Sequence, residues 1–197
     1  MVDPLGTFWR SVRSEWLKTR RSNVGWLAAG GGLFTPLMVL IGRIKNRGEL
    51  PRVAEQPLEF WTGFWNQSWQ GATILVLPLS AILLVTVVTQ IEIRANGWKQ
   101  VEATPAPRWA IFLAKLTVII VMFLIMLVWF DLGLLGAAFG SSLVGAPRPP
   151  ASVPLGLFLE RTGILFVDTL PLLALQYLIA LRSTSFLAPL GIGTAIW

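Results

Sequence analysis

The run from Leu116 to Val144, LTVIIVMFLIMLVWFDLGLLGAAFGSSLV, decides what fold this chain can adopt. It carries a single charge, Asp131, and exceeds the ~20 mostly apolar residues a helix needs to cross ~30 Å of hydrocarbon. Working outward, Val24 to Ile41 and Gly71 to Gln90 carry no charge at all, and Thr162 to Leu181 carries only Asp168. All these runs are continuous, whereas barrel strands would alternate in ~10-residue segments. The expected fold is an all-α polytopic membrane bundle forming one transmembrane domain over 1–197, with four full spans near 24–42, 70–91, 112–140 and 161–181. A last apolar segment, 186–197, is too short to cross. It reads as an incomplete fifth span of a truncated chain, with a short re-entrant or interfacial helix as the alternative.

Composition agrees. Hydrophobic residues make up 54% and charged residues 13%, against the ~45–50% and ~25% of soluble domains. The net charge of +6 could suggest nucleic acid, but the basic residues border the spans rather than forming one patch, and acidic lipid headgroups account for them better. Cysteine and histidine are both absent, which removes disulfides, thiolate nucleophiles, haem axial histidines, His-based zinc sites and His-assisted triads. There is no G-x-x-x-x-G-K-[ST] and no soluble βαβ stretch to hold one. ATP hydrolysis by this chain alone is therefore not expected, and no catalytic, metal or cofactor-binding residue is assigned.

Orientation follows from Lys and Arg, which are enriched in cytoplasmic loops. Arg10, Arg13, Lys18, Arg20 and Arg21 precede the first span, Arg94, Lys99, Arg108 and Lys115 flank the second-to-third loop, and Arg182 joins them. They outnumber Arg43, Lys45, Arg47, Arg52, Arg148 and Arg161 on the opposite side. The N-terminus is placed in the cytoplasm. The first apolar run has no small-residue cleavage site and reads as a retained anchor.

Before the first span, Leu5, Phe8, Trp9, Val12 and Trp16 recur at helical spacing, with Arg10, Arg13, Ser14 and Lys18 on the other arc. This predicts a basic amphipathic helix within 1–23, lying in the membrane interface. Its plain role is anchoring; its sharper role is to rest beside a cytoplasmic partner and relay its motion. Ahead of the second span, FWTGFWNQSW brings Phe60, Trp61, Phe64, Trp65 and Trp69 together, and an aromatic belt at the headgroups is expected. In the third span, Gly133, Gly136, Ala137 and Gly140 form a small-residue face with G-x-x-x-G from Gly136 to Gly140, read as a packing seam. Asp131, Asp168 and Gln176 are the intramembrane polar candidates. Carboxylates there point to proton relays or substrate pathways, but two separated carboxylates with no mid-span cation make a poor relay, so hydrogen bonding to neighbouring helices is favoured.

The polar segment Glu92 to Lys115, EIRANGWKQVEATPAPRWAIFLAK, separates two apolar runs. Asn96-Gly97 can turn the chain, and Trp98, Lys99, Gln100, Val101, Glu102 and Ala103 can form a short helix. Pro105 and Pro107 end it, because neither has an N–H and each biases its predecessor away from the helical region. Lys115 is expected to snorkel to the interface. A short bounded helix continuous with two spans suits force transmission; an ordinary cytoplasmic connection is the plain alternative.

With SEWLKTRRS before the first span, E-x-x-x-NGWKQ-x-x-x-x-P-x-x-R-x-x-x-x-x-x-K from Glu92 to Lys115, and QYLIALRSTSFLAPLGIG from Gln176 to Gly193, the chain resembles permease subunits of type-2 ATP-binding-cassette exporters. These loose patterns extend over essentially the whole chain. The resemblance is nearest to short permeases linked to lantibiotic or bacitracin immunity and to multidrug or sodium export. It implies a six-span permease in a bacterial inner membrane, paired with a second permease copy or paralogue and with two cytoplasmic ATPase subunits that hold the ATP and Mg. It maps the coupling helix onto Gly97, Trp98, Lys99, Gln100, Val101, Glu102, Ala103 and Thr104, and the N-terminal interface helix onto Leu5 to Arg21, with Phe8, Trp9, Val12, Trp16 and Lys18 as its contact residues. The chain departs from the pattern in its incomplete fifth and missing sixth spans, and in Glu102, where an apolar residue is usual. An ion- or proton-coupled secondary transporter using Asp131 and Asp168, and a non-transporting membrane scaffold, are the rival readings.

Overall fold

The computed structural model describes residues 4–50, 56–94 and 107–197, and among these every regular element is helical. Helix α1 is Pro4–Arg20 and α2 is Val24–Lys45; α3, Pro57–Gly71, continues through a π-helical turn, Ala72–Val76, into α4, Leu77–Arg94. Helices α5 (Arg108–Ser142), α6 (Leu155–Arg182) and the short α7 (Leu187–Ile196) complete the order.

Four helical segments are long and apolar enough to cross a membrane: Val24–Lys45, Pro57–Ile91, Arg108–Ser142 and Leu155–Arg182. Their outward faces are apolar too: on α2 alone, Trp26, Phe34, Leu37, Met38 and Ile41 are exposed. So continuous an apolar surface is unusual on a soluble monomer and is what hydrocarbon requires. Two threonines inside the second span turn back onto their own helix: Thr86 Oγ1 donates to the Ile82 carbonyl at 2.7 Å and Thr89 Oγ1 to that of Val85 at 2.8 Å. This satisfies both hydroxyls within the helix.

The helix that carries the second uncharged run begins earlier, at Pro57, because the aromatic stretch is itself helical. The π turn has a local cause. Pro78 has no N–H and its ring would crowd the carbonyl four residues back, and the widened turn, with Leu77 N–H donating to the Ala72 carbonyl, carries the chain past that point without breaking the span. At the end of α5 the helix is closed by a Schellman arrangement: Ala146 N–H reaches the Ser141 carbonyl at 3.2 Å and Gly145 N–H that of Ser142 at 3.3 Å. Gly145 takes φ +91° there, a left-handed conformation that glycine adopts without a Cβ penalty.

The chain groups into two compact units, Met1–Ala28 with Leu79–Leu124 and Thr169–Trp197, and Ala29–Pro78 with Ile125–Asp168. Each long helix contributes to both, which is why the sequence reads as one domain. In the first unit, Ile82, Val85, Ile119, Phe123 and Leu173 are buried; in the second, Trp61, Trp65, Met126, Phe130 and Leu134.

Two sequence expectations are corrected within the second unit. The FWTGFW stretch is core and not a headgroup belt: Trp61 is 0% and Trp65 2% exposed, with Trp61 set against Phe139 and Phe158 at ring-centroid distances of 5.9 Å. Its aromatic surface is large enough to drive burial wherever facing helices supply rings. Arg43 reinforces the cluster, stacking over Phe60 and Phe64 at 5.7 and 5.4 Å and donating to Ser141 Oγ at 3.0 Å. The packing seam likewise differs from the one expected. Gly133 meets Pro36, and Gly32 meets the backbone of Met126, while Gly136 faces open space and Gly140 makes only ordinary contact with Leu40.

Candidate functional site

The loop that the sequence singles out lies between the end of α4 and the start of α5, and Gly97 to Thr104 fall outside the described residues. Its two feet are described. At the second foot, Ala110 N–H donates to the Pro107 carbonyl at 3.0 Å, so Pro107 and Arg108 open α5 without a lost donor.

Both feet are pinned by buried polar side chains within the first compact unit. On α4, one turn before the loop, Gln90 is 3% exposed and its amide lies 3.4 and 3.3 Å from the carbonyls of Ser183 and Ser185, in the link between α6 and α7. On α5, the Tyr177 hydroxyl donates to the Phe112 carbonyl at 3.0 Å. One turn further, Lys115 does not snorkel. It is buried, and its Nζ sits 2.5 Å from Glu15 Oε2 on α1. The other carboxylate oxygen of Glu15 takes Lys18 Nζ at 2.5 Å, so one carboxylate joins a buried and a half-exposed ammonium.

That pair follows from the way α1 is turned. Thr7, Glu15 and Thr19 are buried, and with half-buried Ser11 they form a stripe spaced four apart on one helical face. Ser11 Oγ and Thr19 Oγ1 bond back to the carbonyls of Thr7 and Glu15 at 3.0 and 2.9 Å. The polar stripe therefore faces protein, and the apolar arc is left outward: Leu5 is 72% and Trp9 63% exposed. Phe8, Val12 and Trp16 are half-buried between the two arcs, with Phe8 edge-on to Trp9 at 5.5 Å. A helix that turns large apolar side chains away from the protein fits a bilayer interface.

The intramembrane candidates are dispersed. Gln176 is buried and donates through Nε2 to Thr86 Oγ1 at 3.2 Å and to the Pro189 carbonyl at 2.9 Å. Gly193 on α7 closes against its amide, and a Cβ there would lie 2.5 Å from Gln176 Oε1. Asp131 accepts a 2.8 Å bond from Thr162 Oγ1, while its Oδ1 is buried with no partner among the described residues. Asp168 is exposed on α6, in the apolar company of Ile164 and Val167. Among the described residues no group of three His, Cys, Asp or Glu side chains is placed to hold a metal ion. The described residues that are brought together are those at the two feet of the loop.

Glu15, Gln90 and Tyr177 carry no role in the sequence alone, and Lys115 reads there as a snorkelling residue. Glu15 lies in SEWLKTRRS and Lys115 closes the loop pattern, but only the fold brings the two together.

A family model described as ABC-2 family transporter protein matches residues 11–196. No curated protein and no solved structure matches the chain.

Proposed function

Because the chain belongs to the ABC-2 transporter family, we propose that it is the permease subunit of an exporter driven by a separate cytoplasmic ATPase. The loop 92–111 is its coupling element. The N-terminus and this loop face the cytoplasm, as the distribution of Lys and Arg favours. ATP and Mg belong to the partner, and a second permease copy or a paralogue completes the path.

The observation that carries the reading is the pinning of both feet of the loop. Gln90 holds the end of α4, and Tyr177 and Lys115 hold the start of α5. A loop whose ends were free would absorb a push. With its ends fixed in long membrane helices, displacement of Trp98 to Ala103 is delivered to α4 and α5 together. In the cycle, ATP binding closes the partner's dimer, the loop is displaced, and the second and third spans pass the shift to a path at the permease dimer interface. Coupling of this kind needs an element that both sites bias, and in this reading the second and third spans are that element.

Co-purification tests the reading. With the ATPase co-expressed, Trp98→Ala/Lys99→Ala reaches wild-type levels in the membrane but retains much less of the ATPase and loses transport. Unchanged retention and transport would remove the assignment.

A further inference from the structure

The pair Glu15–Lys115 joins residues 100 positions apart, and each lies in one of the two polar segments that the membrane helices separate. Burying an ion pair is seldom the cheapest way to hold two helices together, since apolar residues of similar volume often do as well or better. What a charge pair adds is register. It is satisfied at one rotation and one height of α1 against α5, whereas an apolar face tolerates slippage. The hydroxyls of Ser11 and Thr19 are turned back onto α1 itself, while Glu15 reaches across to Lys115 on α5.

The position is equally specific. Lys115 sits two turns into α5, between the loop and the rest of the third span, and carbonyl Phe112 just before it is held by Tyr177. Glu15 sits near the end of α1, one turn before Arg20 and the link to α2. We propose that Glu15 and Lys115 are positioning residues that lock α1 to the foot of α5, so that displacement of the loop moves the interface helix and the third span as one body. Lys18 covers the open side of the carboxylate and keeps its charge balanced where water begins. The inference rests on the coupling reading for its function, but the lock itself exists without the ATPase.

The chain has no cysteine, so spin labels can be placed at will in the full chain. Labels at Ser14→Cys and Leu113→Cys, both on exposed positions, report the distance between α1 and α5 in proteoliposomes. The lock predicts one narrow distance distribution, preserved by Lys115→Arg and broadened at least about twofold by Glu15→Gln or Lys115→Met. The double variant Glu15→Gln/Lys115→Met removes both charges and recovers wild-type membrane levels, because no buried charge has lost its counterion, yet its distribution stays broad. With the ATPase bound and trapped by ATP and vanadate, the distance stays constant in the wild type and shifts in the double variant as α1 lags behind. A narrow distribution in both single variants overturns the lock. A broad resting distribution in the double variant with no vanadate response in either protein keeps the lock and rejects the coupling reading beneath it.

Discussion

Gly133 on α5 packs directly on Pro36 of α2: a Cβ at Gly133 would lie 2.8 Å from the Pro36 Cβ and 2.9 Å from Leu33 Cδ2. The two helices approach there to a distance that only glycine permits, and the pyrrolidine ring fills the space a side chain would take. Pro36 removes one backbone donor from its own helix, an interruption that membrane helices tolerate. Gly133→Val is expected to lower stability by about 1–3 kcal/mol through overpacking, whereas Gly136→Val, which meets nothing within 4 Å, changes it by less than about 0.5 kcal/mol. Thermal unfolding in detergent compares the two directly; equal losses would contradict the placement of the seam.

Burial of the FWTGFW stretch gives a second contrast. Trp61 is 0% exposed and Trp26 82%, though both lie near the end of a span. Trp61→Ala should cost about 3–5 kcal/mol, the usual range for emptying a large aromatic from a core, and Trp26→Ala much less. The same melting measurement distinguishes a core cluster from a headgroup belt, for which the two substitutions would behave alike.

Asp131 accepts a hydrogen bond from Thr162 Oγ1. Thr162→Val removes that donor and should destabilise by about 1–3 kcal/mol, while Thr162→Ser retains the hydroxyl and stays near wild type. Measured stabilities that do not separate the two would show that Asp131 finds its partner elsewhere.

The rival reading, transport driven by an ion gradient through Asp131 and Asp168, makes an opposite prediction. Vesicles containing the permease and its ATPase, loaded with a substrate found by export screening, should continue to export it with ATP present after the membrane potential and pH gradient are collapsed. Loss of export under those conditions would favour the gradient-driven mechanism. Asp131 is engaged with Thr162, and Asp168 is exposed beside Ile164 and Val167.

The long spans are legible because hydrocarbon thickness sets a minimum length for every crossing helix, and Leu116 to Val144 exceeds it with a single charge. The aromatic helix was misread for a physical reason. Asn66, Gln67, Ser68 and Gln70 dilute the hydropathy of Pro57–Gly71, and whether a Trp faces headgroups or a neighbouring ring cluster depends on helices far away in sequence. The small-residue seam is legible on the right helix, with Gly133 at its tightest point, but Gly136 lies outside it, since spacing gives a face but not its rotation against α2. On α1, periodicity identified an apolar arc yet could not say that protein would cover the opposite one. The Glu15–Lys115 pair is non-local and was beyond any window. The loop's turn and prolines are visible in sequence, while its mechanical setting appears in Gln90 and Tyr177, neither of which has a local signature.

The central claim is that loop 92–111 contacts an ATPase on the cytoplasmic side. Single cysteines in this cysteine-free chain, placed in turn at Trp98, Lys99 and Val101 and, as controls, at Asn46 and Ser152 in the loops assigned to the other side, carry a short photo-crosslinker in intact membranes with the ATPase co-expressed. The account predicts a crosslinked permease–ATPase product from the three loop positions, modulated by ATP, and none from Asn46 or Ser152. Capture of the ATPase from the control positions, or its absence from all three loop positions, would contradict it.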